Sequence, residues 1–430
     1  MYEAFITQLK NVRKHDNADR LKLAECFGNT VVVGLDAKEN DIVVYFPTDG
    51  QLSIEYCEFN NLVRKKDADG NNVGGYLDPE KRNIRALNLR GAKSDGLAMS
   101  LESLSKFTDI TKLKVGDRIT ILGGIAICEK YIPKTGSVSS NGAKNKIKNI
   151  KKEDSYPLFK EHVDTAQLDY NLADFKKGDT CYITLKMHGT SARTSYTIKE
   201  KHTWLAKLLS KYIKIWSFVS GTRRVVLNNF DKGYYGNDGF RKTYHDMFKE
   251  KLNKGETVFY EIVGYTGEGG LIMAEANNKL LNDKEFIKTY GETTKFTYGC
   301  TDAKELLDGE KRNNIYIYRM TMTNEDGFVV EYPWELVKQR CEEMGLEHVP
   351  EFDKFIFTNK ESLLKRVNKF IDGTDPIGKT HIKEGIVVRI DNKKTFKAYK
   401  KKSYAFKCLE GIIKDAGIVD AEEQESIIAE

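Results

Sequence analysis

The pattern of apolar and polar positions predicts strands in two stretches of the chain. Before residue 131, Val31-Val32-Val33, the run from Asp41 to Phe46 and Arg118-Ile119-Thr120-Ile121-Leu122 read as short strands, with Gly116-Asp117 as a turn. Beyond residue 155, Cys181 to Leu185 is strand-like, and Phe259-Tyr260-Glu261-Ile262-Val263-Gly264 is β-rich with a carboxylate in its middle. Ile315-Tyr316-Ile317-Tyr318 alternates aliphatic and aromatic residues, a period that puts both tyrosines on one strand face. Glu384-Gly385-Ile386-Val387-Val388-Arg389 is an apolar strand with an acid at its mouth. Asp391-Asn392 predicts a turn into Thr395 to Lys402, where lysines dominate. The tail from Leu409 to Glu430 reads as one or two short helices ending in an acidic stretch.

Between the two stretches, residues 131–155 carry no apolar period. Gly136 to Gly142 is polar and Lys144 to Lys152 reads KNKIKNIKK, a basic flexible linker whose lysines either stay solvated or meet phosphates. A second basic stretch, Lys199 to Lys214, interleaves Trp204 and Tyr212 and leads to Trp216; at helical spacing such aromatics suit a core better than base stacking.

Composition narrows the picture modestly. The chain has 430 residues, 31% charged and 40% hydrophobic, enough for two domains with real cores. No run approaches the ~20 apolar residues of a membrane span. The start lacks a secretory pattern, so a cytoplasmic location with no membrane partner and no obligate protein partner is expected. Seven cysteines without a C-x-x-C pair suit reduced thiols rather than a disulfide frame or zinc site. A net charge of +6 is mild for this length, so nucleic-acid binding has to be argued from local patches.

The candidate chemistry lies in the order of the second set of strands. Lys186-Met187-His188-Gly189-Thr190-Ser191-Ala192-Arg193 follows the first of them and contains K-x-x-G, a lysine at a strand end with a glycine that lets backbone approach a nucleotide. The acid Glu261, the aromatics Tyr316 and Tyr318, the acid Glu384 and the lysines of 395–402 follow in turn. A lysine attacks a phosphate only as a free amine, which neighbouring cations favour. Charge on the reacting phosphate calls for lysines and a divalent ion on a carboxylate, and the nucleoside for an acid at the ribose and a flat aromatic at the base.

That order resembles motifs I, III, IIIa, IV and V of the covalent nucleotidyltransferase superfamily of polynucleotide ligases and mRNA capping enzymes. Lys-x-His-Gly is similar to the nick-sealing RNA ligases of phage, and Glu161-His162-Val163-Asp164-Thr165 with Gln167-Leu168 resembles the lead-in of RNA ligases of the Deinococcus type. The resemblance implies an α+β chain: an N-terminal OB-like β-barrel (1–130), the basic linker (131–155), and an ATP-grasp-like covalent nucleotidyltransferase domain on antiparallel sheets with helices (156–430). His15-Asp16-Asn17-Ala18-Asp19-Arg20-Leu21 and Arg90-Gly91-Ala92-Lys93-Ser94-Asp95-Gly96-Leu97 are similar to OB-fold tRNA-binding modules; those residues either build the barrel or face nucleic acid.

The implied activity is ATP-dependent RNA ligation with Mg2+ or Mn2+, on RNA at nicks or broken ends, including RNA–DNA hybrid. The implied roles are Lys186 as nucleophile, His188 at phosphate or metal, and Gly189 at the nucleotide. Glu261 would bind ribose, Tyr318 the base with Tyr316 as alternative, and Glu384 the metal. Arg223, or else Arg224, would be the arginine of motif Ia; Lys397 is favoured as the first lysine of motif V, with Lys400 or Lys402 as the second. Two departures stand out: Leu185 where many RNA ligases carry glutamate, and Arg319 where ligases often carry aspartate. The alternatives are a capping guanylyltransferase or DNA ligase, both expected to need a barrel after motif V where about 25 residues follow Lys402, and a non-catalytic RNA-binding protein with a decayed nucleotidyltransferase domain.

Overall fold

A computed structural model of the chain describes residues 2–133, 154–201, 213–227, 230, 239–267 and 269–418. The basic run at Lys144, the polar run at Gly136, Trp204, Tyr212 and the acidic end of the tail lie outside the described residues. The chain forms two compact units: Met1–Lys134 with Asn277–Lys284 and Lys407–Ile418, and Thr135–Ala276 with Glu285–Phe406 and Val419–Glu430. Antiparallel sheets dominate both, so the chain is α+β with few helices.

The first unit is built from short strands around Ile6, Val44, Phe46, Leu52, Tyr56, Leu104 and Ile119, all buried. Leu97–Ser100, Ile42–Phe46, Ala4–Gln8 and Arg118–Ile119 form a four-stranded sheet in that order. Lys10–Lys14, Leu21–Cys26 and Asn29–Gly34 form a three-stranded one, and Cys128–Lys130, Gly50–Leu52 and Asn83–Ile84 another. Among the described residues these ladders run open, and no closed barrel is present. The two stretches that resemble tRNA-binding modules hold each other: buried His15 meets the Leu89 carbonyl through Nε2 at 3.1 Å, and Asn17 Nδ2 donates to Arg90 O at 3.1 Å. Arg90 and Gly91 both have positive φ and make the two-residue turn between Ala86–Leu89 and Ala92–Asp95.

The helix Tyr404–Asp415 contributes most of its length to this unit. Its charged side chains pair with the N-terminal part of this unit: Lys407 Nζ lies 2.8 Å from Asp95 Oδ2, Lys414 pairs with Asp49, and Asp415 pairs with Arg85. Among the described residues the second unit is built mainly on two sheets. Val226–Leu227, Ile213–Gly221, Thr190–Lys201, Glu256–Gly264, Asn313–Thr323 and Val329–Glu331 run in that order in the larger. Ala166–Gln167, Lys397–Lys402, Gly385–Ile390, Thr180–Lys186 and Glu351–Ile356 make the smaller, where only Ala166–Gln167 pairs in parallel.

The period of two explains the smaller sheet. Cys181, Ile183, Ile386, Val388, Ile390 and Tyr399 pack into a core with Leu363 and Val367 of the helix Lys360–Phe370. Thr184, Val387, Arg389, Ala398 and Lys400 therefore share the other face, with Thr184 opposite Val387 and Val387 opposite Lys400. In the larger sheet a bulge interrupts the alternation yet leaves the two tyrosines on one face, since Tyr316 pairs with Glu261, Glu261 pairs with Ser191, and the Ser191 hydroxyl meets Tyr318. Phe259 pairs with Arg319 but Tyr260 pairs with Ile317, so Tyr318 is an extra residue and the period slips there. Trp216, expected at helical spacing, lies in the strand Ile213–Gly221.

The Lys407–Asp95 pair tests how far the C-terminal helix stabilises the first unit. Asp95 is 5% exposed and its Oδ1 has no hydrogen bond, so Lys407→Met leaves a buried carboxylate uncompensated. A loss of about 3 kcal/mol, or roughly 6–12 °C in the melting of that unit, is expected. Adding Asp95→Asn should recover part of it; a single variant as stable as the parent would show that the pair carries little.

Candidate active site

Met187-His188-Gly189 carries the chain from the end of Thr180–Lys186 in the smaller sheet to the start of Thr190–Lys201 in the larger. The crossing needs a glycine: a Cβ on Gly189 would run into Ile262 O and lie 2.8 Å from Val263 Cγ1. Its N–H donates to Glu261 Oε1 at 3.1 Å, which ties the crossing to the middle of Glu256–Gly264. Lys186, the last paired residue of its strand, faces Gly385. Its Nζ lies 2.7 Å from Oε1 of Glu384, the residue that precedes the strand Gly385–Ile390.

Glu384 is 2% exposed, and a carboxylate so buried stands only among cations. Lys402 Nζ is 3.9 Å from Oε1, and His188 Nδ1 is 3.9 Å from Oε2. Oε2 has no hydrogen-bond donor among the described residues. The His188 ring sits edge-on between Phe296 and Phe406, with centroids at 4.6 and 4.8 Å, and its backbone N–H donates to the Tyr298 hydroxyl at 2.7 Å. Lys400 is pushed down to about 8 by burial and by the neighbouring charges of Lys186, Lys402 and Arg223, with Glu384 opposing.

A cavity of about 130 Å³ opens beside this cluster. Lys186, Arg223, Glu261, Tyr318 and Lys400 all line it, with apolar walls from Leu185, Met187, Trp334, Val349 and Val387. Arg223 pairs with Asp164 at 2.6 Å, and Tyr318 lies 3.3 Å from the Ser191 hydroxyl. Arg224 is exposed and reaches the other oxygen of Asp164 at 3.5 Å. Glu384, His188 and Gly189 stand beside the cavity through the contacts already described. Lys397 does not join the group: it is exposed at the start of its strand, opposite Ile390, and the lysines at the site are Lys400 and Lys402. Tyr316 turns elsewhere, its hydroxyl accepting from Asn314 Nδ2 at 3.1 Å.

Several residues at the site had no role of their own assigned from the sequence, His162 and Thr165 of the lead-in segment among them. His162 and Thr165 reach the cavity because Ala166–Gln167 pairs alongside Tyr399 and Lys400. Arg389 lines it with a buried guanidinium held by Asp391 at 2.9 Å and by Tyr332 O, while Nη1 has no partner among the described residues. Tyr298 and Phe296 come from a segment with no motif. The position of Arg389 on the cavity face follows from the alternation of Gly385–Ile390; the others depend on contacts across the chain.

No protein-family model and no curated protein matches the sequence. Solved structures do. The chain is similar to the Naegleria gruberi RNA ligase as a lysine-to-alanine mutant with ATP and Mn, at 15% identity and TM-score 0.57, covering 96% of this chain and 99% of that one. It is also similar to the same ligase with PPi, at 16% identity and TM-score 0.56 over 94% and 97% of the two chains. A lysine-to-methionine mutant with AMP and Mn gives 15% and 0.56 over 94% and 97%. At such identity the likeness establishes a shared fold, that of an RNA ligase.

The depressed Lys400 gives a pH signature. Its folded value of about 8 lies below the ordinary lysine value of 10.5, so the native side chain becomes neutral while an unfolded one stays charged. If its charge holds a phosphate, kcat/KM for covalent nucleotide transfer to the protein should fall as pH rises through about 8. Lys400→Arg should push that limb to higher pH, because guanidinium stays protonated. An alkaline limb unmoved by the arginine variant would assign it to another group.

Proposed function

We propose that this chain is an ATP-dependent RNA ligase that joins 3′-OH and 5′-phosphate ends at nicks in duplex RNA or RNA–DNA hybrid. The observation that carries the reading is the Lys186 amine at a strand end, 2.7 Å from a buried carboxylate and electrostatically coupled to Lys400 at the wall of a cavity. In the first step the Lys186 nitrogen attacks the α-phosphate of ATP, a P–N bond forms, and the bond to the β-phosphate breaks to release pyrophosphate. AMP then passes to a 5′-phosphate end, and a 3′-OH attacks that activated end and expels AMP. Lys400, Lys402 and Arg223 neutralise the phosphates, Glu261 binds ribose, and Tyr318 offers its ring to the base.

Magnesium or manganese would neutralise the reacting phosphate. Among the described residues no three His, Cys, Asp or Glu side chains converge as a cage. One carboxylate with phosphate oxygens is, however, a common way to hold a hard cation, and the unbonded Oε2 of Glu384 fits that part. The RNA ligase fold shared with Naegleria structures that hold ATP, AMP or PPi supports the nucleotide. The first unit, OB-like in its motifs, is proposed to hold the polynucleotide, with residues 131–155 as a basic linker and 156–430 as the nucleotidyltransferase.

Incubation with radiolabelled ATP or GTP followed by a denaturing gel tests the reading. Label from ATP only is expected; label from GTP would support a capping enzyme, and no label with retained RNA binding a decayed module. Lys186→Ala and Lys186→Arg should both abolish labelling, since neither offers a free amine, and persisting label would remove Lys186 from its role. Glu384→Gln should lower labelling by about two orders of magnitude, the scale of one positioned electrostatic group. Near-normal labelling there would mean that the acid only packs.

A further inference from the structure

Leu185, next to Lys186 in the cavity wall, has no polar side-chain atom, so selection of one base must come from another wall. His162 is the strongest candidate on geometry. It lines the cavity, and its ring stands 5.2 Å from Tyr318 at an interplanar angle of 66°. Phe259 at 5.4 Å and Phe396 at 5.8 Å hold it from other sides. Arg319 Nη1 lies 3.2 Å from Nδ1.

A guanidinium only donates, so Nδ1 is the acceptor and the neutral ring carries its proton on Nε2. Burial, then the charges of Arg319, Arg223, Arg193 and Lys400, hold the imidazole well below its ordinary value, so it is neutral at pH 7. Arg319 is itself immobilised: Nε donates to Glu331 at 2.9 Å, and its guanidinium lies 4.4 Å from the Phe259 ring and 4.7 Å from Phe396. The tautomer is thereby set by a fixed partner rather than chosen by the ligand. Nε2–H has no acceptor among the described residues.

We infer that His162 is a specificity-determining residue, whose Nε2–H donates to a ring nitrogen on the six-membered edge of adenine in a base stacked on Tyr318. This rests on the ATP-dependent reading above. A ring set across the plane of Tyr318 meets the edge of a base laid on it rather than its face. At N1 adenine presents an acceptor, whereas guanine and hypoxanthine present N–H. A donor there pairs with the first and opposes the others, and a site built around a hydrogen bond discriminates more sharply than an apolar pocket.

The test uses the full chain and measures kcat/KM for covalent labelling from ATP, 1-deaza-ATP, which lacks N1, and ITP. The unaltered protein should prefer ATP over either analogue by about 10- to 100-fold. His162→Phe keeps a ring against Phe259 and Phe396 without a donor; it should lower ATP use by a similar factor while leaving 1-deaza-ATP unchanged. His162→Gln, which can both donate and accept, should restore part of the preference. Equal use of ATP and 1-deaza-ATP by the unaltered protein overturns the inference whatever the variants do. So does a proportional fall for both nucleotides in His162→Phe, which would place the histidine at ribose or phosphate, or in packing alone. Absence of label from any nucleotide removes the proposed function and this inference with it, whereas ATP labelling indifferent to N1 removes only the inference.

Discussion

A carboxylate buried at the mouth of a strand constrains everything around it. Glu384 is enclosed to 2% exposure, and a lone charge there would be prohibitively costly. The structure meets that cost with Lys186 and Lys402 on one oxygen and His188 near the other. The same ionic arrangement that makes the acid tolerable also brings the amine of Lys186 to a defined place, so burial and chemistry are set by one contact. With Lys400 close enough to feel Lys186 and Lys402, three lysines surround the one glutamate and the cluster carries more positive than negative charge.

That cluster exists because two sheets meet at a short crossing. Lys186 closes one strand, Thr190 opens the next, and Gly189 permits the backbone to pass against Ile262 and Val263 without a side chain between. Glu261 then anchors the crossing through the Gly189 N–H, and the Tyr298 hydroxyl anchors it through that of His188. Both anchors are side chains that grip backbone, so the crossing that carries the lysine is held from two separate segments as well as by its own strand.

How much of this was legible in the sequence follows from the range of the interactions. Lys186, Gly189 and Glu384 sit at strand ends, where the change from apolar run to charged residue marks them directly. The lysines after Asp391-Asn392 were visible as a run, but which of them face the cavity depends on alternation counted from the hydrogen-bonded register; Lys400 opposite Val387 is inside and Lys397 is not. Tyr318 is the residue inserted by a bulge, which a strict period of two cannot reveal. Strands of the first unit were readable, yet their open ladders and the attachment of Tyr404–Asp415 through Lys407 and Lys414 rest on pairs hundreds of residues apart.

The two ends of the cavity differ in just this respect. Lys186, Lys400 and Glu384 are supplied by strand ends and faces of one sheet, so the proposed phosphate end is defined by neighbouring backbones. His162, Tyr318 and Phe396 in the cavity wall are instead braced by Phe259 and Arg319, four separate segments held by ring contacts and by the Arg319–Glu331 pair. The arginine that stands after Tyr318, unexpected from the sequence, is explained there: it is a buried strut between an edge strand and the lead-in segment, not a ligand-facing acid lost. A wall assembled from such distant parts changes shape without moving the amine, so the proposed selection of the base and the proposed covalent step rest on different segments of the chain.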